Sequence, residues 1–313
     1  MEIVSKNLNI DFMSVRKGAV LLSIVWLVAA AVAIAVRGLN FGIDFTGGTL
    51  IEVGYAQDVQ LDSVRQSLTE GGFKGAAVQR FGTLRDVLIR LAPDAVGGDD
   101  SAQLSDRVFA ALSRSAPGQV ELRRVEFVGP QVGDELAEDG ALAVLVALIA
   151  ILMYVAMRFE WRFAVGAVAA LAHDVLFTVG LFALLQIEFD LPVLAAVLAV
   201  IGYSLNDTIV IFDRVRENFR KMRKGTPGDI VNASINQTMA RTIMTSGTTL
   251  VVLLALFFLG GENIHGFSLA LIVGVVIGTY STIYVASAVA LWLGVSKADL
   301  MPVKKEGVVD DRP

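Results

Sequence analysis

The chain has 313 residues, of which 55% are hydrophobic and 18% charged, and a net charge of −5. That is far more apolar than a water-soluble domain, so a single soluble globule is excluded and a membrane protein is expected. There is no cysteine, which excludes disulfides, thiolate metal sites and cysteine nucleophiles.

About 20 consecutive apolar residues are needed to cross a bilayer core. Six stretches qualify, roughly 18–36, 138–157, 163–185, 191–212, 242–260 and 266–294. The first follows Arg16 and Lys17 and ends with small residues at Ala33-Ile34-Ala35, as a signal peptide would. Its apolar run is longer than a signal core, so an uncleaved anchor is expected. Basic residues fix the orientation. Lys6, Arg16, Lys17, Arg158, Arg162, the run from Arg214 to Lys224, and Lys297, Lys304 and Lys305 fall in alternate connections, which are expected to be cytoplasmic with both termini. The opposite loops, 186–190 and 260–265, carry acids and neither Lys nor Arg.

The expected organisation is a cytoplasmic segment 1–17, a first span 18–36 and a periplasmic domain 37–137. Five further spans follow within 138–294, with a cytoplasmic loop 213–241, and a cytoplasmic tail 295–313 closes the chain. Within the outer domain, the periodicities predict a strand ending at 55, a helix over 61–71, a hairpin over 76–82 and 85–92, a helix over 101–116 and a strand over 119–128. The order β-α-β-β-α-β predicts a ferredoxin-like α+β domain, with two helices on one face of an antiparallel sheet. Gly47-Gly48 has no phosphate-loop context and reads as a backbone turn where the chain enters the strand. Binding of an extended polypeptide along a sheet edge is physically possible. In the loop after the fourth span, Thr226-Pro227-Gly228-Asp229 predicts a capped start for a short surface helix over 227–238.

The polar residues inside the spans carry the functional signal. Asp207 sits in the middle of IGYSLNDTIVIFDRV at 201–215. A carboxylate at a helix centre costs about 2.5–3.5 kcal/mol, so it is expected to face inward and be partnered. Tyr203, Ser204 and Arg214 share its helical face, and Asn206 adds a neighbouring polar group. Arg214 can snorkel to water, so Arg241, at the start of the fifth span, is the better candidate partner. The pair reads either as a fixed bridge that sets helix register or as a proton-coupling switch, because desolvation and a neighbouring guanidinium act oppositely on a carboxyl's hold on its proton. His173-Asp174 in the third span reads either as a local packing hydrogen bond or as part of a proton relay, with Ser204 and Asn206 as possible further members. Small residues at Gly274, Gly278 and Thr282, and at Ala195, Ala199 and Gly202, read as ordinary packing within one chain. The only histidines, His173 and His265, have no nucleophile, metal set or nucleotide motif beside them. No catalytic residue, metal, cofactor or nucleic-acid site is therefore expected.

Six segments together carry a resemblance: FGIDFTGGTLIEV, VGPQVGDEL, LAHDVLFTVG, GYSLNDTIVIFDRVRENFR, RTIMTSGTTL and GFSLALIVGVVIGTYSTIYVASA. Along nearly its whole length the chain resembles the SecF branch of the SecD/SecF family, itself a branch of the resistance-nodulation-division transporters. The resemblance implies a bacterial inner-membrane subunit that uses the proton-motive force to assist protein translocation through SecYEG and release of the exported chain. It implies SecD as a required second half, with SecYEG, the translocating polypeptide and membrane lipids as further partners. The family's transport residues fall on Asp207 and Arg241, while its other essential carboxylate belongs to the SecD half. Two alternatives stay open: a non-transporting six-span scaffold that assembles with SecD, and a half-transporter for lipids or small molecules.

Overall fold

A computed structural model of the chain describes residues 9–92, 101–115, 119–222 and 224–296. Lys6, Arg223, Lys297, Lys304 and Lys305, used above for orientation, lie outside the described residues, as do most of the expected tail and about half of the expected N-terminal segment.

In chain order the elements are α1 (Arg16–Arg37), β1 (Asn40–Phe41), α2 (Ile43–Thr46), β2 (Gly48–Tyr55), α3 (Leu61–Glu70), β3 (Ala77–Phe81), β4 (Thr83–Leu91), α4 (Ser101–Ser115), β5 (Val120–Val128), α5 (Pro130–Arg158) and α6 (Trp161–Leu185). Then come β6 (Glu188–Phe189), α7 (Leu191–Lys221), α8 (Pro227–Leu259), α9 (His265–Ser281), a π turn over Thr282–Ala286, and α10 (Ser287–Trp292). The described chain is mostly helical, and six helices are long and apolar enough to cross a membrane, counting α9, the π turn and α10 as one.

Between α1 and α5 lies a four-stranded antiparallel sheet in the order β3-β4-β2-β5. Alternation along β2 turns Ile51 and Val53 to one face, and β4 does the same with Val87 and Ile89; all four are fully buried. Val64 and Leu68 of α3 and Leu104, Val108 and Leu112 of α4 recur at helical spacing and close over that face. The other face carries Leu50, Glu52 and Leu88 and overlooks the ends of the membrane helices.

Two features fix how the sheet sits on the helices. The short strands β1 and β6 pair in parallel, Asn40 with Glu188 and Phe41 with Phe189. Arg90 of β4 ion-pairs with Glu188 and donates to the Phe41 carbonyl at 2.9 Å, so the sheet is tied to this ribbon. Asp44 in α2 accepts from the Leu191 amide at 2.9 Å, while Asp190 caps α7 by accepting from the Val193 amide at 2.8 Å. Gly47 has φ +67° and ψ 174°, a backbone state essentially restricted to glycine. It lets the chain turn from α2 into β2 directly against the start of α5.

The connection after the fourth span differs from expectation. In place of a loop over 213–241 with a separate surface helix, residues 213–221 continue α7 and residues 227–241 are the first part of a single α8, so that among the described residues of this stretch 222 and 224–226 lie outside helix. Thr226 and Asp229 form a complete capping box, with Pro227 opening the helix, and no further proline interrupts it before it ends at Leu259. At about 1.5 Å per residue, helices of 31 and 33 residues are about 46 and 50 Å long and outrun a core of about 30 Å. Likewise α5 starts at Pro130, well before the expected 138, because Pro130 suits a first helical turn.

Small residues bring the helices close. A Cβ on Gly274 of α9 would lie 2.0 Å from Val200 of α7, and one on Gly180 of α6 would lie 2.2 Å from Ala30 of α1. Ala195, Ala199 and Gly202 behave differently: they are exposed along the outer face of α7, so packing within the chain does not account for them.

Candidate functional site

Asp207 lies 16 residues after the start of α7, about 24 Å along the helix, and is only 3% exposed. Its Oδ2 is buried without a hydrogen-bond partner. Arg241 of α8 is near enough for its charge to act on this carboxyl, yet no ion pair joins them, and the Arg241 side chain is exposed on the surface of the bundle. The hydroxyl of the next residue, Thr242, is buried and likewise unpartnered. Arg214, on the same face by sequence, instead pairs with Glu217 at 2.5 Å, and Asn206 points out of the bundle, exposed.

One turn before Asp207 a second buried carboxylate enters. Asp174 of α6 is fully buried and accepts three contacts: from Ser204 of α7 at 2.6 Å and Ser281 of α9 at 2.8 Å, both on Oδ2, and from His173 Nδ1 at 3.0 Å on Oδ1. Thr208 of α7 meets Thr282, the first residue of the π turn, hydroxyl to hydroxyl at 2.9 Å. A further hydroxyl line runs from Tyr203 through Ser246 of α8 to Thr279 of α9, at 3.3 and 2.9 Å. The His173 ring lies 6.1 Å from that of Tyr280, whose hydroxyl donates to the Ala19 carbonyl of α1 at 2.7 Å.

Of the sequence-level candidates, Asp174, His173 and Ser204 converge directly, Asp207 and Arg241 act on each other through charge alone, and Asn206 stands apart. Ser281, Thr208, Ser246 and Thr279 did not stand out in the sequence, and Thr282 did so as a small packing residue alone. Their only signal is a small hydroxyl inside an apolar helix, and such hydroxyls commonly bond back to their own helix carbonyl. Thr245 and Thr249 do so here, at 3.1 Å to the Arg241 carbonyl and 2.9 Å to the Thr245 carbonyl.

At the opposite end of α7 a cavity of about 530 Å³ separates the open sheet face from the helix ends and is lined in part by Glu52, Arg124, Glu188, Asp190 and His265. Asp190, just outside the span, has its pKa pushed up to about 6; burial is the main cause, opposed by the Val193 amide bond and supported by the charges of Glu188 and Asp44. The basic residues Arg158, Arg214 and Arg216 gather at the far end of the bundle, where Arg158 bonds Asp213 at 3.0 Å. No group of three or more His, Asp or Glu with metal-binding geometry occurs among the described residues.

The family model described as protein export membrane protein SecD/SecF, C-terminal, matches residues 108–296, and the SecD/SecF GG motif matches residues 32–59, which include Gly47 and Gly48. The chain is 55% identical to the protein translocase subunit SecF of Vibrio alginolyticus, over 99% of this chain and 98% of that one. It is 47% identical to that of Escherichia coli O157:H7, over 97% and 94% respectively. Among solved structures it is similar to SecDF of Thermus thermophilus, with a TM-score of 0.83 and 39% identity over 93% of this chain. A super-membrane-facing form of SecDF gives a TM-score of 0.68 and 40% identity over 94% of this chain. The chain spans 39% and 40% of those two solved chains. It therefore belongs to the SecD/SecF family of protein-export membrane proteins.

Proposed function

We propose that the chain works as a SecF-type translocase subunit: the smaller half of a SecD-SecF complex in the bacterial inner membrane, where proton flow assists export of polypeptides through SecYEG. The observation that carries the reading is Asp207, a buried carboxyl with one oxygen unpartnered, within the electrostatic reach of an Arg241 that is open to a partner. A second chain that covers Arg241 and shifts against it changes the charge felt by Asp207, and the carboxyl binds and releases a proton in turn. One charge crossing 100 mV supplies about 2.3 kcal/mol, enough to bias a motion between states a few kcal/mol apart.

In this reading the end of the bundle bearing Arg158 and Arg214 faces the cytoplasm, with both termini, and the sheet domain faces the periplasm; the clustering of basic residues at one end supports it. The sheet domain is ferredoxin-like, supported by its antiparallel order, in which the strand hydrogen-bonded between the two helix-linked strands is the third of the four. The reading assigns no enzymatic role and no cofactor.

The test is Asp207→Asn in the complete complex. The complex is expected to assemble with normal yield while export loses its dependence on the proton gradient; a retained dependence sinks the proposal. A second reading, a scaffold for SecD without transport, draws on the exposed stripe Ala195, Ala199, Gly202 and Asn206 of α7 and on exposed Arg241 of α8, since polar and small-residue surface in a membrane calls for a covering helix. On that reading Asp207→Asn and Arg241→Met each lower recovery of the complex, and exchanging the two charges restores it.

A further inference from the structure

The buried pair Asp174 and His173 lies outside the exchange between Asp207 and Arg241. From the geometry we infer that Asp174 is a positioning residue for the Asp207 site, a proton-sensitive clamp that ties α7 and α9 to α6 through Ser204 and Ser281. The inference rests on the proton-coupled reading above and extends it to a second carboxyl.

The donors around Asp174 decide the argument. Oδ2 takes Ser204 at 2.6 Å and Ser281 at 2.8 Å, and Oδ1 faces His173 Nδ1 at 3.0 Å. A carboxylate can accept all three, so no Lys or Arg is needed, and none bonds to Asp174 or His173 among the described residues. The titratable or charged groups around the pair are Tyr280 on α9, its ring 6.1 Å from that of His173, and Asp207 on α7, one turn beyond Ser204, with Arg241 of α8 acting on Asp207.

The two serines are not equivalent. Ser204 has no other acceptor among the described residues, whereas the Ser281 hydroxyl, with a single proton to give, also lies 3.1 Å from the Gly278 carbonyl of its own helix. A proton arriving on Oδ2 occupies one of the two directions from which the serines donate. Ser281 then falls back on Gly278, α9 is released from α6, and Ser204 keeps α7 attached. The π turn begins at the next residue, Thr282, where the backbone takes an extra residue into its turn, and the Ser287 side-chain hydroxyl donates to the Thr282 carbonyl at 3.1 Å. It supplies slack where the clamp opens. Because Thr282 also holds Thr208, next to Asp207, release of Ser281 alters the setting of the Asp207 carboxyl.

The experiment uses the full chain co-produced with its SecD-type partner, reconstituted in liposomes of bacterial phospholipid, with proton uptake read against pH from about 5 to 8. Ser281→Ala keeps the carboxyl and removes only the releasable tie; it is expected to shift the uptake midpoint by about half a pH unit, a roughly threefold change in proton affinity. Asp174→Asn can hold both serines through its carbonyl oxygen while its amide donates to His173, so it is expected to assemble and to lose one titrating step. Profiles for both variants that superimpose on the unsubstituted complex overturn the inference, and Ser281→Ala alone decides if Asp174→Asn does not assemble. Asp207→Asn runs alongside. If it too leaves uptake unchanged, the proton-coupled reading has failed; if it abolishes uptake while the other two variants superimpose, only the clamp has failed.

Discussion

Gly47→Ala tests the joint between the membrane helices and the sheet domain. At φ +67° and ψ 174°, the backbone of Gly47 costs any other residue about 1–3 kcal/mol. A Cβ there would also lie 2.8 Å from Pro130 Cα and 3.0 Å from Pro130 N, and these are backbone atoms held by the start of α5. Forcing them apart adds about 1–3 kcal/mol, the usual range for overpacking. The expected loss is about 2–6 kcal/mol, which lowers the melting temperature by something on the order of 10 °C. Two controls separate the contributions. Gly75→Ala, at φ +89° with open space around it, should suffer the backbone strain alone. Gly18→Ala, in the first turn of α1 with nothing within 4 Å, should be close to neutral. The measurement is thermal unfolding of the purified protein in detergent, followed by tryptophan fluorescence. A Gly47→Ala protein no less stable than Gly75→Ala refutes the steric part of the argument.

The remaining predictions address the two ends of the bundle and its centre. Asp190 has a folded pKa of about 6 against an ordinary 3.8, so the folded state holds its proton more tightly and stability falls as pH rises from about 4 to 6. Asp190→Asn keeps a capping side chain, removes the charge, and is expected to raise the melting temperature at neutral pH and flatten its dependence on pH in that window; an unchanged slope contradicts the assignment. Gly274→Ala pushes a methyl group into Val200 and is expected to cost about 1–3 kcal/mol, with Val200→Ala in the same chain recovering most of it; a double variant as unstable as the single one argues against direct contact between α7 and α9 there. Arg90→Ala removes the tie from β4 to Glu188 and Phe41, so spin labels on β4 and α7 are expected to report a broader distance distribution, and the absence of native cysteine makes the labelling specific. A distribution as narrow as that of the unsubstituted chain shows that other contacts fix the sheet domain.

Much of the architecture could be read along the chain because it depends on local periodicity. Long apolar runs marked the spans, alternation marked β2 and β4, and the Thr226–Asp229 box marked the start of α8 within one residue. The misreadings came where a helix leaves the hydrocarbon. By hydropathy, residues 213–221 look like loop and 227–238 like a separate surface helix, yet the backbone runs on as helix in α7 and into the span in α8. The exposure of Ala195, Ala199 and Gly202 was misjudged for a related reason, since spacing places residues on one face but not what that face meets.

The sequence by itself determined that this is a membrane protein, that one strand-and-helix domain interrupts its spans, and that Asp207 is a charge in need of an explanation, because composition, period and desolvation cost are properties of a single segment. Only the tertiary structure decided that Arg241 acts on Asp207 without an ion pair, that Asp174 gathers hydroxyls from α7 and α9, and that Ser281 has two acceptors to choose between. Those facts depend on helix rotation and crossing, which are set by the approach of Gly274 to Val200 and Gly180 to Ala30, contacts between residues far apart in the chain.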